Sequence, residues 1–579
     1  MIKSIKISVF ILTFICLNNT LLNAQNDTIF RAMHDELNRN MTELGKLDEY
    51  NPPFFIEYNL HDFSSKIIYA TLGSVLRKDY RKDRTSNVRV MIGDYDLADE
   101  NFKDNSINTR RHNDGRISLP YENDYLAIRR SFWIATNNVF KSASELYRNK
   151  LTAMDLKGLK KENLPAADLS KETAVTDKRE PIPDDYNEEQ LINLTTSLSK
   201  CFIDYPELKN SQIILYHLNS MSYMVNSEGS EISLPLNYYF LMVSVQATDI
   251  DEHEIWQQLS YIGSSIDDIP AEEIILKDIE KLVQNIKQEA VAEKFDEKYI
   301  GPLLYEDFAV VELNFMKLFS SGNESIIARR APLVNNQKDG LIIPNVQTWE
   351  QRIGKRVIDS KISIYDISTE KSYNKQTLIG SYDIDIQAVK PSSKLDLIEK
   401  GILKNQLTNR TPTGKQKNSN GHDRLIITGN TIYSDIAPGV VLIQSDQSIS
   451  KGEMKNKIIE MAKNEDLDYV IMAKTLETSA GIPPINYYKI NIETGEEILL
   501  RSIKDHFDIN DLRDIEYISD NEKVFNTIFY RGRIGYTQGV PVTFISPDAI
   551  IIKEKQLSGD SNSIKGEKPV VPSPLMETK

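Results

Sequence analysis

Few residues in this sequence are placed to do chemistry. The stretch Gly301-Pro302-Leu303-Leu304-Tyr305-Glu306-Asp307-Phe308-Ala309-Val310-Val311-Glu312-Leu313 sets the carboxylate of Glu306 inside an apolar run. An unpaired carboxylate among apolar side chains is costly, so Glu306 needs a partner or a task. His253-Glu254 resembles the start of a zinc-binding helix, but Gln257 and Gln258 stand where a second imidazole would be needed. Read without a metal, Asp249 to Gln258 is an acidic helix start. Gly414-Lys415 is followed by Gln416 and lacks the first glycine of a phosphate loop. Cys201, in Leu198-Ser199-Lys200-Cys201-Phe202, reads as a small buried hydrophobe. The sequence holds no nucleophile elbow, no dinucleotide fingerprint and no metal-spaced histidine pair among its 7 histidines.

The elements that must position these residues belong to an ordinary globular chain. Its 579 residues are 40% hydrophobic and 26% charged, enough for two or three domains with sizeable cores. Lys3 and Lys6, the apolar run Ile7 to Leu17, and Leu22-Asn23-Ala24 form an export signal expected to be cut after Ala24. The run is too short to span a bilayer, and the bulky Phe14 and Ile15 before Cys16 do not suit lipid attachment. The expected location is therefore the periplasm or the cell exterior. Cleavage would remove two of the 69 basic residues and none of the 84 acidic ones, making an already negative chain, −15 overall, more acidic. That charge argues against nucleic acid and anionic membrane surfaces as partners. It would also remove Cys16, leaving Cys201 without a disulfide partner or a multi-thiolate metal site.

Along the mature chain, Ile29, Met33, Leu37, Met41 and Leu44 fall at helical spacing, with Asn26 and Asp27 as caps. Strands are expected at Phe54–Leu60 and Asn87–Gly93, and a long helix from Asp124 to Ala153. The polar, proline-bearing stretch 156–190 reads as a surface connection. A helix at 191–201 precedes strands at 212–216, 221–225 and 239–247, with the turn Asn226-Ser227-Glu228-Gly229 among them. A helix from Ala271 to Phe295 delivers the chain to Gly301, where a strand hands over to a helix continuing through Leu318. Beyond it the chain turns strand-rich: Lys361–Ile367, Ile379–Ile386, a hairpin over 486–503 and a final pair over 540–552. Arg410 to His422 lies in a basic, turn-rich loop. The fold class is α+β, with boundaries at 1–24 (signal), 25–155 (amino-terminal α+β region), 156–190 (connection), 191–300 (middle α+β region), 301–555 (strand-rich carboxyl-terminal domain) and 556–579 (polar tail).

Several landmarks occur together and in order. They are Phe30-Arg31-Ala32-Met33-His34-Asp35-Glu36-Leu37, Pro53-Phe54-Phe55-Ile56-Glu57-Tyr58, Val88-Arg89-Val90 with Gly93-Asp94-Tyr95, and Val225-Asn226-Ser227-Glu228-Gly229. Gly401-Ile402-Leu403-Lys404-Asn405, Arg410-Thr411-Pro412 and Ser419-Asn420-Gly421-His422 follow them. Through these the chain resembles the TldD/PmbA family of metallopeptidase subunits, in an exported branch, over nearly its whole mature length. The resemblance implies a mixed helix and antiparallel-sheet amino-terminal region and a strand-rich carboxyl-terminal domain. Catalytic members carry His-Glu-x-x-x-His at the segment similar to Leu303–Leu313, with a distant cysteine as a further zinc ligand. The match sets Tyr305 at the first histidine, Glu306 at the glutamate and Val310 at the second histidine. Tyrosine is a reluctant zinc ligand near neutral pH, valine offers no donor, and no cysteine follows Cys201.

The resemblance therefore implies a subunit without the zinc site, with no cofactor of its own. It would pair with a catalytic TldD-like subunit, or assemble with its own copies, and help enclose peptide or unfolded polypeptide. Arg410, Asn420 and His422 are candidates for contact with that substrate. Two other readings remain open from the residues: a peptidase with a divergent metal site using Glu306, His253 or His422, and a non-enzymatic binding protein of the cell envelope.

Overall fold

The computed structural model describes residues 28–576 apart from 106–114, 185, 321, 337, 429–430, 479–480, 507, 531–532, 535–538, 561–563, 567–570 and 572. The expected signal sequence, and the caps Asn26 and Asp27, lie outside the described residues. The first half is built on a 7-stranded sheet. Its order runs Arg116–Ser118, Ser74–Ile92, Pro53–Thr71, Asn210–Asn226 and Glu231–Thr248. Thr176–Lys178 and Glu254–Gly263 both pair with the last of these. All pairings are antiparallel except that of Thr176–Lys178.

Side chains alternate across these strands, so each strand has one face for each neighbour layer. One face carries Tyr58, Leu60, Val88, Val90, Tyr223 and Val225 against the helices 28–44 and Tyr125–Lys157. Further along the same face Ile213, Leu215, Leu241 and Leu259 meet Glu188–Lys200 and Glu272–Ala290. The opposite face turns Phe63, Leu218, Phe240 and Met242 toward Ile427 and Ile528 of the second half.

The second half stacks two sheets around the largest apolar cluster. One holds Lys298–Glu306 between Ala549–Gly559 and Tyr469–Thr475. The other holds Val440–Ser445 between Ile362–Asp366 and Val540–Pro547. In Lys298–Glu306 the alternation is visible residue by residue: Leu303 and Tyr305 enter the cluster between the sheets, while Leu304 packs under the helix Lys451–Asn464. Val540–Pro547 and Ala549–Gly559 are separated only by Asp548, so one run of chain serves both sheets. The final strand pair or ladder expected over 540–552 is present as two consecutive strands, each in a different sheet.

Other expectations are corrected. Segments 212–216 and 221–225 are one continuous strand, because Asn219 and Ser220 stay in register opposite Asn237 and Leu236. Asp249 to Gln258 is a turn followed by the strand Glu254–Gly263, whose alternation buries Gln257 and Leu259 and leaves Trp256 half exposed. Ile379–Ile386 is irregular although its apolar residues alternate. Gly380 lies so close to Gly439 that a Cβ would stand 2.2 Å from the Gly439 carbonyl oxygen, and the Asp385 carboxylate accepts from the backbone N–H groups of Gln387, Val389 and Asp423. The helix expected through Leu318 ends at Leu313, with a 3-10 turn at Phe315–Phe319. The stretch 156–190 is more than a surface connection, since Ala166, Asp168, Leu169 and Ser170 are buried. Asp168 there pairs with the fully buried Lys150 at 2.6 Å.

The two halves meet at Arg410, which is completely buried. Its guanidinium donates to both carboxylate oxygens of Glu228, at 2.7 and 2.8 Å, and twice to the Ser170 carbonyl, at 3.1 and 2.6 Å. Its plane also lies 5.2 Å from the Phe55 ring centre. A buried charge left without its partner costs about 3–5 kcal/mol. Arg410→Met should therefore lower unfolding stability by about that amount in chemical denaturation, and a loss under about 1 kcal/mol would show that the clamp contributes little.

Candidate functional site

The residues expected to mark the zinc-like position are internal in this chain. Tyr305 is fully buried and donates its hydroxyl to Asp505 at 2.9 Å, and burial together with the Asp505 charge holds its pKa well above the usual value. Val310 packs in the apolar cluster between the sheets. Glu306 is half-buried at the end of its strand. Burial pushes its carboxyl up, Lys451 and Lys474 pull it back, and Asp307 and Asp548 add to the rise. Asp307 makes the strand-to-helix corner with φ 55° and ψ −132°, a left-handed backbone that L side chains rarely adopt. Its carboxylate lies between the ammonium groups of Lys451 and Lys523. A zinc ion of the catalytic type therefore does not fit here: the tyrosine is engaged as a donor and the valine has none to offer.

Of the loop candidates, Arg410 and His422 are buried and Asn420 is half-buried. Arg410 is saturated by Glu228 and Ser170, as described. Asn420 ties the loop to itself, accepting from the Thr408 N–H at 2.8 Å and donating to the Gln406 carbonyl at 2.8 Å. His422 is fully buried, with Nδ1 2.9 Å from Asn420 Oδ1 and Nε2 3.2 Å from Asp366 Oδ1. Burial would raise the Asp366 carboxyl, but His422, Ser368 and the Gly439 N–H together bring it below the ordinary carboxylate range. Of the three, Arg410 bonds across the seam to the first half, while Asn420 and His422 bond within the second half, His422 buried and Asn420 half-buried. Glu306, His253 and His422, the residues of the divergent-metal reading, fall in three separate clusters. Asp249, Asp251 and His253 do bring ligand atoms within 4.8 Å of one another. The Arg501 guanidinium already binds both aspartates there, at 2.8 and 2.6 Å, and occupies the place a cation would take. Cys201 is partly buried, its thiol pushed up to about 12 by burial and the Asp204 charge, which removes it as a nucleophile near neutral pH.

What sequence reasoning missed is a cleft of about 780 Å³ between the halves. One wall is the sheet edge, with Phe240, Met242, Trp256, Gln258 and Ser260. The other is the end of the Phe308–Leu313 helix and the turn after it, with Glu312, Leu313, Met316 and Lys317. Ile482-Pro483-Pro484 closes one side. Glu254–Gly263 pairs on one side only, with Glu231–Thr248. Its outward positions follow from Ser260, which exchanges both backbone hydrogen bonds with Ile482, and from Glu254, whose N–H reaches the Ile564 carbonyl. In an antiparallel ladder every second residue faces the same way, so Trp256 and Gln258 also turn their N–H and C=O groups outward. Among the described residues no backbone group pairs with them. A signal for this strand was present in the period-two spacing of Ile255, Leu259 and Tyr261, which the acidic Asp249–Glu254 start and the polar Gln257 obscure.

Residues 338–464 match the model of the PmbA/TldA metallopeptidase C-terminal domain. No curated protein matches the chain. Among solved structures, a candidate modulator of a DNA gyrase from Thermotoga maritima is 11% identical with a TM-score of 0.54, covering 91% of this chain and 100% of its own. TldE from Thermococcus kodakarensis is 11% identical with a TM-score of 0.50, at the same coverages. A candidate modulator of DNA gyrase from Bacteroides thetaiotaomicron is 9% identical with a TM-score of 0.51, covering 91% of this chain and 98% of its own. The likeness to these structures is one of fold, and it bears out the α+β expectation.

Glu312 gives the cleft a pH signature. Burial raises its carboxyl, offset in part by Lys317. A carboxyl raised in the folded state contributes stability that is full below its unfolded pKa and is lost as pH rises through the folded value. Glu312→Gln should therefore be more stable than the parent at pH 7 and equal to it near pH 4, measured by denaturation at both; a difference that does not change with pH would contradict the burial of this charge.

Proposed function

We propose that the chain is a protein of the TldD/PmbA type, since residues 338–464 match that family's carboxyl-terminal domain and the fold is alike, and that it is an exported subunit that holds extended polypeptide without cutting it. Hydrolysis would fall to a zinc-bearing partner subunit. The observation that carries the reading is the open edge of Glu254–Gly263 inside the cleft. An extended peptide laid along it would exchange backbone hydrogen bonds with Trp256 and Gln258, a mode that reads main chain rather than side chains. Each such bond contributes about 0.5–1.5 kcal/mol net. Ile482 at Ser260 and Ile564 at Glu254 bound the open stretch, which spans about 20 Å of strand at about 3.3 Å per residue. Trp256, Leu313 and Met316 offer apolar contact, and Glu312 and Lys317 one charge of each sign. The cleft includes the end of the helix that begins at the zinc-like positions, which is where a partner's catalytic site would need to find the peptide. The replacement of both histidine positions by Tyr305 and Val310 supports a role other than hydrolysis. The net charge of −15 argues against DNA as the ligand.

Proline tests the edge cleanly, because it removes an N–H that the sheet itself does not use at an outward position. Gln258→Pro should weaken binding of an unfolded decapeptide by about tenfold or more, read by calorimetry or Trp256 fluorescence, while leaving the melting temperature nearly unchanged. Unchanged affinity in a folded variant would remove the edge as the binding site. Purified chain that hydrolyses peptide while holding stoichiometric metal would overturn the non-hydrolytic reading.

A further inference from the structure

A second cavity, of about 380 Å³, lies elsewhere on the seam. Glu57, Asn59 and His61 border it from Pro53–Thr71, on the sheet face turned away from the helices. Asp423, first residue of the strand Asp423–Thr428, borders it from the second half. Both carboxylates are buried, Glu57 at 5% exposure and Asp423 at 1%. One oxygen of each is satisfied: Glu57 Oε1 accepts from Asn59 Nδ2 at 2.9 Å, and Asp423 Oδ1 from Asn409 Nδ2 at 3.2 Å. Glu57 Oε2, Asp423 Oδ2 and Asn59 Oδ1 are buried without a hydrogen-bond partner. A buried acceptor left unmet is costly, so three in one cavity ask for a donor from outside the chain.

The charges around them do not supply it. The Arg89 guanidinium lies nearby but is held by Glu100 through two bonds of 2.5 Å. Burial lowers His61 to about 4, leaving it neutral, and its Nδ1 faces Ser222 at 2.9 Å. Arg116, exposed at the rim, has contacts of its own. Burial, with the Glu57 charge adding to it, pushes Asp423 up to about 6 despite the Ser434 and Asn409 side chains beside it. A divalent metal would want three or more acidic or histidine ligands close together, and among the described residues such a group occurs only at Asp249, Asp251 and His253.

We propose that this cavity binds a primary ammonium group. Three N–H donors on a single positive charge match three unmet oxygen acceptors, two of them carboxylate oxygens and one an amide oxygen. The ammonium could belong to a free amine or to a lysine or amino terminus of a polypeptide. The site is separate from the open strand edge and does not rest on the peptide reading.

The test is calorimetric titration of the full chain with propylamine, spermidine, a lysine-containing decapeptide, propanol and calcium. Propylamine should bind and propanol should not, and Glu57→Gln and Asp423→Asn should each weaken amine binding by about tenfold or more. These amide variants remove an uncompensated buried charge rather than create one, so folding is expected to survive, with circular dichroism as the check. Spermidine binding without the peptide would support the proposal with a free amine as its source, and peptide binding would support it with a polypeptide. Gln258→Pro should leave propylamine affinity unchanged, which separates this site from the open edge. No amine binding, equal binding by the variants, or binding of calcium alone would overturn the proposal.

Discussion

Arg410 is the interaction on which the arrangement of the two halves depends. Each half has its own apolar core, and apolar side chains also meet across the seam, where Phe63, Leu218, Phe240 and Met242 face Ile427 and Ile528; apolar contact carries little direction, so a directional interaction is needed to fix how the halves are turned. A guanidinium that grips Glu228 with two parallel bonds and the Ser170 carbonyl with two more supplies that direction, because its donors are rigid and planar. Tyr95 adds a hydroxyl to the same carboxylate at 2.8 Å. Both clefts lie along this seam, and the spacing of their walls is set by how the halves are held.

Much of the fold was legible because burial follows period. The helix Tyr125–Lys157 and its Asp124 cap, the Asn226–Gly229 turn and the 485–501 hairpin follow from spacing and turn chemistry. The losses have identifiable causes. Pro53–Thr71 runs 19 residues, but His61, Asp62, Ser64, Ser65 and Lys66 interrupt its apolar alternation, so only its first third reads as a strand. His61 and Ser65 face the second half, whereas Asp62, Ser64 and Lys66 lie on the same face as Tyr58 and Leu60, where Asp62 pairs with Arg84 and Lys66 with Asp184. Ile379–Ile386 misleads in the other direction: its alternation is real, but Gly380 and Asp385 serve a tight approach and a turn.

The candidate site was less legible. Tyr305 and Val310 could be read as poor zinc ligands from residue type alone, since no fold gives valine a lone pair. Where a ligand would go could not be read that way. The open edge depends on which strand ends up unpaired, and that is decided by Ile482 and Ile564, more than 200 residues away in sequence. Arg410 and His422 look like exposed polar loop residues in the sequence; Arg410 becomes internal by bonding Glu228 and Ser170 of the other half, and His422 by pairing with Asp366 of its own half.

The run from Val540 to Gly559 has a consequence for how the second half moves. Asp548 is buried at the crossing, bonded by Ser519 and Asn521, and its carbonyl takes the Asp307 N–H at 2.7 Å. Since one run of chain passes directly from one sheet into the other at Asp548, neither can slide or fray without pulling on the other. Local opening is therefore shared: amide protons of the two sheets should become exchangeable as one cooperative unit, and the corner at Asp307 is stiffened from both sides at once.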